Sequence, residues 1–233
     1  MSMRMTKIKY IIFDLDQTIV NHLRGEKKGL EWIYAAFLKE NVRSFQQLHD
    51  DFTRINTALW IDLEKGEYDA AFIIDNRFKY LTQLYAVDEK VEIIQKAYTD
   101  RYIDHSIPFK GAVALLEELS TMGIPLGIGS NGFIGCQTRK LDRHRLKQYF
   151  SKYYYGNRAP FCKPHQHFFR SITKDLELRA EEILFIGDSE GNDIVPAVAF
   201  GMKTLHINQD YLVGDCLDHK KILARINEII HGN

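Results

Sequence analysis

The chain has no excess charge of either sign: 31 Lys and Arg balance 31 Asp and Glu across 233 residues. No basic field therefore invites a nucleic-acid polymer or an anionic membrane surface. There is no apolar run of 18 residues, which argues against a membrane-spanning helix. The opening MSMRMTKIKY is too short and too polar for a secretory signal, so a cytoplasmic protein is expected. Cysteine is scarce and odd in number: Cys136, Cys162 and Cys216 show no CxxC spacing, and neither a disulfide framework nor a zinc site is suggested. Proline is absent from residues 21–107, and that stretch holds only three of the fifteen glycines.

In place of the helix breakers, that stretch repeats apolar residues at helical spacing. Trp32, Ala35, Ala36 and Leu38 form one set, Ile55, Leu59 and Leu63 a second, and Phe72, Ile73, Phe78, Leu81 and Tyr85 a third. The pattern predicts about four helices over residues 21–105. From Phe109 the rhythm changes. GAVALLEELSTMG reads as a helix stopped by Gly123, IPLGIGSNG as a strand entering a glycine-rich loop, and HQHFFRSITKDL as a helix. EILFIGDSEGND reads as a buried strand and loop, with a helix running on to Gly201. KTLHIN is another strand, and CLDHKKILARINEII a closing helix. With YIIFD as first strand, the alternation predicts an α/β fold: a parallel, Rossmann-like sheet with helices on both faces. An all-helical cap interrupts it. The expected division is a core of residues 1–20 and 106–233 and a helical insertion of residues 21–105.

Ligands of open parallel sheets bind outside the carboxyl ends of the strands. The expected strand ends all turn polar there. The first supplies Asp14, Asp16 and Thr18, and the second Ser130, Asn131 and Gly132. Lys163 lies in the loop before a helix, and a later strand ends in Asp188 with Asp193 close behind. Each cluster alone has an ordinary explanation: a cap for Asp193, a turn for Ser-Asn-Gly, a solvated surface for Lys163. Together and in this order they describe one rim. Burying several carboxylates there is costly unless something offsets their charge.

This set resembles the haloacid dehalogenase-like hydrolases, a family known for phosphatase activity. The matching motifs are DxDxT in DLDQT, Ser-Asn-Gly in GSNG, Lys-Pro in CKPHQHFF and GDSxxND in GDSEGND. Gln17 departs from the Asn or Gly more usual at its position and should alter only the turn. The resemblance implies Mg²⁺ held by the Asp14 and Asp188 side chains and the Asp16 backbone carbonyl, with Asp193 either ligating it or holding its waters. It implies Asp14 as nucleophile toward phosphorus, Asp16 as acid and base, and Lys163 as neutraliser of charge. Thr18, Ser130, Asn131 and Gly132 would bind the phosphoryl group, and the helical insertion would close over the site.

Dehalogenation is disfavoured, because a departing halide needs no acid at Asp16. A phosphomutase shares every motif residue. A phosphoacceptor signalling domain shares the acidic pocket but has no such insertion, and a non-catalytic binder would have lost a motif residue. The insertion should set the substrate, a small phosphomonoester. The segment INTALWIDLEKGEYDAAFIIDNRFKYL looks like the cap of bacterial pyrimidine 5′-nucleotidases, which makes a nucleoside 5′-monophosphate the expected substrate. An acylneuraminate or hexose phosphate is the competitor. Trp60, Arg77 and Phe78 are the residues to watch. Trp60 and Phe78 fit a helical core face, with stacking on a flat base as the alternative, and Arg77 is read as solvated sooner than ligand-binding.

Overall fold

The computed structural model describes residues 7–231. Five strands, β1 (Tyr10–Phe13), β2 (Leu126–Ser130), β3 (Lys152–Tyr155), β4 (Ile183–Gly187) and β5 (Lys203–His206), form one parallel sheet in the order β3-β2-β1-β4-β5. Ile11 sits opposite Leu126 on one side and Leu184 on the other. The order reverses at β1, so the loops leaving β1, β2 and β4 part around a crevice.

Among the described residues nine α-helices follow this order. Between β1 and β2 come α1 (His22–Ile33), α2 (Phe45–Lys65), α3 (Ala70–Leu84), α4 (Val91–His105) and α5 (Ala112–Thr121). Later come α6 (Ile134–Arg143), α7 (Gln166–Leu176), α8 (Val195–Phe200) and α9 (His219–His231). The central strands are buried on both faces, and their side chains alternate between two cores. Ile11, Phe13, Leu184 and Ile186 pack with α5 and α9 through Leu116, Leu119, Ile222 and Ile226. Tyr10, Ile12, Ile183 and Phe185 pack with α7 and α8 through Phe168, Phe169, Ile172 and Ala197.

Helices α1 to α4 build a core of their own around Leu30, Ile33, Phe52, Phe78, Leu81 and Tyr98. Side chains of Asn21, Ser44 and Asp69 accept from backbone N–H groups and start α1, α2 and α3, and Gly66, at φ 91°, ends α2. Gly25 and Gly29, two of the block's three glycines, let α1 lie against α4. A Cβ at Gly25 would come within 2.4 Å of the Tyr102 carbonyl oxygen, and one at Gly29 within 2.7 Å of the Tyr98 ring. That contact turns Trp32, expected in the core, outward: it is 47% exposed, with the Arg101 guanidinium 4.0 Å from its ring centroid. The two crossings between sheet and helical block pair with each other. Asn21 N–H donates to the Ile107 carbonyl at 2.9 Å and Phe109 N–H to the Ile19 carbonyl at 3.0 Å.

Two features exceed the sequence expectation. β3, an edge strand of Lys-Tyr-Tyr-Tyr, lacks the aliphatic run of a buried strand, and its tyrosines are only partly covered. The ribbon of β6 (Leu212–Val213) and β7 (Cys216–Leu217) is too short to show a period.

Candidate active site

Asp14 follows β1, Ser130 ends β2, and Asp188 follows β4. The loop before α7 delivers Lys163 to the same point. Lys163 Nζ donates to Asp14 Oδ1 at 2.7 Å and to Asp193 Oδ1 at 2.6 Å, all three side chains being buried. Asp14, Asp188 and Asp193 each offer a carboxylate oxygen within 4.8 Å of the others. β4 ends in glycine for a steric reason, since a Cβ on Gly187 would lie 2.3 Å from Asp193 Oδ2. That oxygen accepts from Ser189 N–H at 3.0 Å. Thr18 Oγ1 donates to Asp188 Oδ1 at 3.2 Å and is itself buried.

Three carboxylates here face one ammonium. Burial drives the Asp14 carboxyl well above its ordinary range; Lys163 opposes this, while Asp193 and Asp188 add to it. Asp188 is pushed up to about 6, by burial and then by Asp193. Burial also works against the Lys163 charge, but Asp14 and Asp193 outweigh it and hold the ammonium above its usual range. The unrelieved negative charge and the all-oxygen donor set fit a small, hard divalent cation.

Asp16 sits in a different setting. Lys140 Nζ, from α6 and 1% exposed, donates to Asp16 Oδ1 at 2.6 Å and to the Tyr102 hydroxyl at 2.6 Å. Gln137 Nε2 donates to Asp16 Oδ2 and to Ser130 Oγ, both at 2.8 Å. Burial alone would raise the Asp16 carboxyl, but the Lys140 charge, with His22 and these hydrogen bonds, holds it below the usual range. Gly132 N–H donates to Ser130 Oγ at 3.1 Å, and a Cβ on Gly132 would collide with the Gln137 side chain. Asn131 clamps the Lys163 backbone: its Nδ2 donates to the Lys163 carbonyl at 2.7 Å, and its Oδ1 accepts from Lys163 N–H at 2.9 Å.

Asp14, Asp16, Ser130, Asn131, Gly132, Lys163, Asp188 and Asp193 thus meet on one cavity of about 280 Å³. Thr18, expected at the substrate, instead backs Asp188. The sequence reading missed Gln137 and Lys140, whose signal is a pair of polar residues three apart on the otherwise apolar face of α6. Of the opposite wall it singled out Trp60 and missed Asn56 and Glu64. Asn56, Trp60 and Glu64 line the cavity from α2 at helical i, i+4, i+8 spacing. Glu64 Oε1 accepts from Asn192 Nδ2 at 2.9 Å, and the Glu64 carbonyl hydrogen-bonds His165 Nε2 at 2.6 Å, which ties α2 to the rim. Arg77 is not solvated: it is buried under the aromatic core of the helical block and reaches the cavity. Trp60 is half-buried on the cavity wall, whereas Phe78 lies fully in the core.

A family model for haloacid dehalogenase-like hydrolases matches residues 8–201. The chain belongs to this family. A glyceraldehyde 3-phosphate phosphatase of Methanocaldococcus jannaschii is 29% identical over 212 residues, covering 86% of this chain and 85% of that protein. The pyrimidine 5′-nucleotidase YjjG of Escherichia coli is 24% identical, over 87% of each. The crystal structure of the HAD-hydrolase YfnB of Bacillus subtilis, bound to magnesium, superposes with a TM-score of 0.79 at 22% identity, covering 94% of this chain and 98% of that one. At that identity the match establishes the hydrolase fold. No described helix is long and apolar enough to cross a membrane.

Proposed function

We propose that the chain is a magnesium-dependent phosphatase of small phosphomonoesters, working through an aspartyl-phosphate on Asp14. The observation that carries this reading is the buried Asp14–Lys163–Asp193 contact with Asp188 alongside, facing Ser130 across one cavity. Asp14, Asp188 and Asp193, with the Asp16 carbonyl, would hold Mg²⁺, which when bound offsets charge on the phosphoryl oxygens. Asp14 attacks phosphorus and the ester P–O bond breaks, the departing alkoxide taking the proton carried by Asp16, which is left ionised. Water then attacks the aspartyl-phosphate and gives its proton to Asp16, which regenerates Asp14 and releases phosphate. Lys140 and Gln137 fix both Asp16 oxygens and favour the ionised form that this second step needs. Lys163 neutralises charge between Asp14 and the phosphoryl group, and Asn131 keeps Lys163 in place. Ser130 and Gly132 border the position of the phosphoryl oxygens.

Helices α1 to α4, residues 21–105, act as a cap over the core of residues 1–20 and 106–233. The cavity volume lies near the low end of ordinary ligand pockets, which suits a metabolite rather than a phosphoprotein. Within that class we favour a nucleoside 5′-monophosphate, pyrimidine before purine. The nucleotidase relative and the position of Trp60 on the cavity wall support this choice. Phosphate release from nitrophenyl phosphate with Mg²⁺, and its loss in EDTA, is the expected result. Full turnover by metal-free protein would overturn the reading.

A further inference from the structure

The wall of the cavity away from the carboxylates carries two polar atoms with no partner among the described residues. Arg77 is 6% exposed, and its Nε has no hydrogen-bond acceptor among the described residues. Its guanidinium lies over Phe52, Phe78 and Tyr98, at 5.8, 5.2 and 4.9 Å from the ring centroids. Aromatic faces offset part of the cost of desolvating the cation, yet they leave a directed donor unused. Asn56 Oδ1 is also buried without a donor. Both residues line the one cavity, and Asn56 stands one helical turn along α2 from Phe52, whose ring faces the Arg77 guanidinium. An unmet buried donor and an unmet buried acceptor on the walls of one cavity are costly unless a ligand meets both.

The position of the pair fixes how far such a ligand must reach. Glu64, bonded to Asn192 next to Asp193, marks the phosphoryl end of α2. Asn56 lies on the same face, about 12 Å away at 1.5 Å per residue. A two- or three-carbon phosphate is too short for that span, whereas a phosphate, a pentose and a ring together cover it. Charge narrows the choice further. Glu26 faces the same cavity and the Arg77 charge opposes its own, so this end carries charges of both signs and suits an uncharged ring better than a second carboxylate.

We propose that Arg77 and Asn56 form a base-reading subsite. Arg77 donates to a ring carbonyl oxygen and Asn56 accepts from the neighbouring ring N–H, the edge that uracil and thymine present. Trp60, one turn from Asn56 toward the rim, supplies a flat wall for the sugar or base between the two ends. This assignment rests on the phosphatase reading and adds the substrate edge to it.

The test compares kcat/KM for uridine 5′-monophosphate, adenosine 5′-monophosphate and nitrophenyl phosphate at saturating Mg²⁺. Adenine has neither a ring carbonyl nor the ring N–H beside it. The uridine ester should be preferred over the adenosine ester by roughly tenfold or more. Arg77→Met and Asn56→Ala should each lower the ratio of uridine ester to nitrophenyl ester by roughly 10- to 100-fold. That ratio does not depend on how much of a variant folds. Equal use of uridine and adenosine esters, or variants that leave the ratio unchanged, would overturn the subsite while the phosphatase reading stands. No Mg²⁺-dependent release from any of the three esters would overturn both.

Discussion

Withdrawing divalent cation from the carboxylate cluster should make the fold prefer acid. The Asp188 carboxyl is pushed from 3.8 up to about 6 by burial and by Asp193. A carboxyl raised on folding binds protons more readily in the folded state, so stability falls as pH rises through that interval. Between about pH 5.5 and 7.5 the loss from Asp188 is about 0.8 kcal/mol. For a chain of this size that equals about 2–3 °C in Tm. Asp14, displaced in the same direction, adds to it. The assay is thermal denaturation in EDTA at both pH values, for wild type and Asp188→Asn; their difference separates Asp188 from the histidines. With Mg²⁺ the trend should invert, because protons compete with the cation, and the Mg²⁺-induced rise in Tm should be larger at the higher pH. The reasoning is refuted if metal-free wild type, relative to Asp188→Asn, gains nothing at the lower pH.

Gly25→Ala should destabilise the protein by roughly 1–2 kcal/mol: overpacking against the Tyr102 carbonyl at 2.4 Å outweighs the better helix propensity of alanine. An unchanged or raised urea midpoint would contradict the close α1–α4 contact. Asp16→Asn should still take up the phosphoryl group but release it slowly, giving a burst of nitrophenol and steady turnover about 10²- to 10⁴-fold lower. Nitrophenol leaves without a proton, so uniform slowing without a burst would contradict Asp16 as the base of the second step.

Much of the rim was legible because each apolar strand ends in a polar cluster, and parallel topology forces those ends together. Asp14, Ser130 and Asp188 follow from that rule, whereas Lys163 and Asp193 lie beyond the strand ends and came from the family motifs. The switch point at β1 brings all five onto one cavity. Gln17 holds φ 61°, the left-handed region that favours Gly or Asn, which accounts for the residues usual there but not for the glutamine. What escaped the sequence depends on contacts between distant segments. Lys140 looks like any helical lysine until α6 is seen to pack under Asp16. Arg77 looks solvated until three aromatic rings from α2, α3 and α4 close around it. Trp32 has the spacing of a core residue, but the glycine pair at Gly25 and Gly29 sets which face of α1 meets α4. β3 went unseen because an exposed edge strand carries no apolar run.

The most direct test of Asp14 as nucleophile is to quench the Mg²⁺-loaded enzyme during turnover of nitrophenyl phosphate and map the phosphoryl group by peptide mass. One phosphoryl group should appear on the peptide containing Asp14, accumulating further in Asp16→Asn, while Asp14→Asn carries none and releases no phosphate above background. A phosphoryl group on any other residue, or near-normal turnover by Asp14→Asn, would contradict the mechanism.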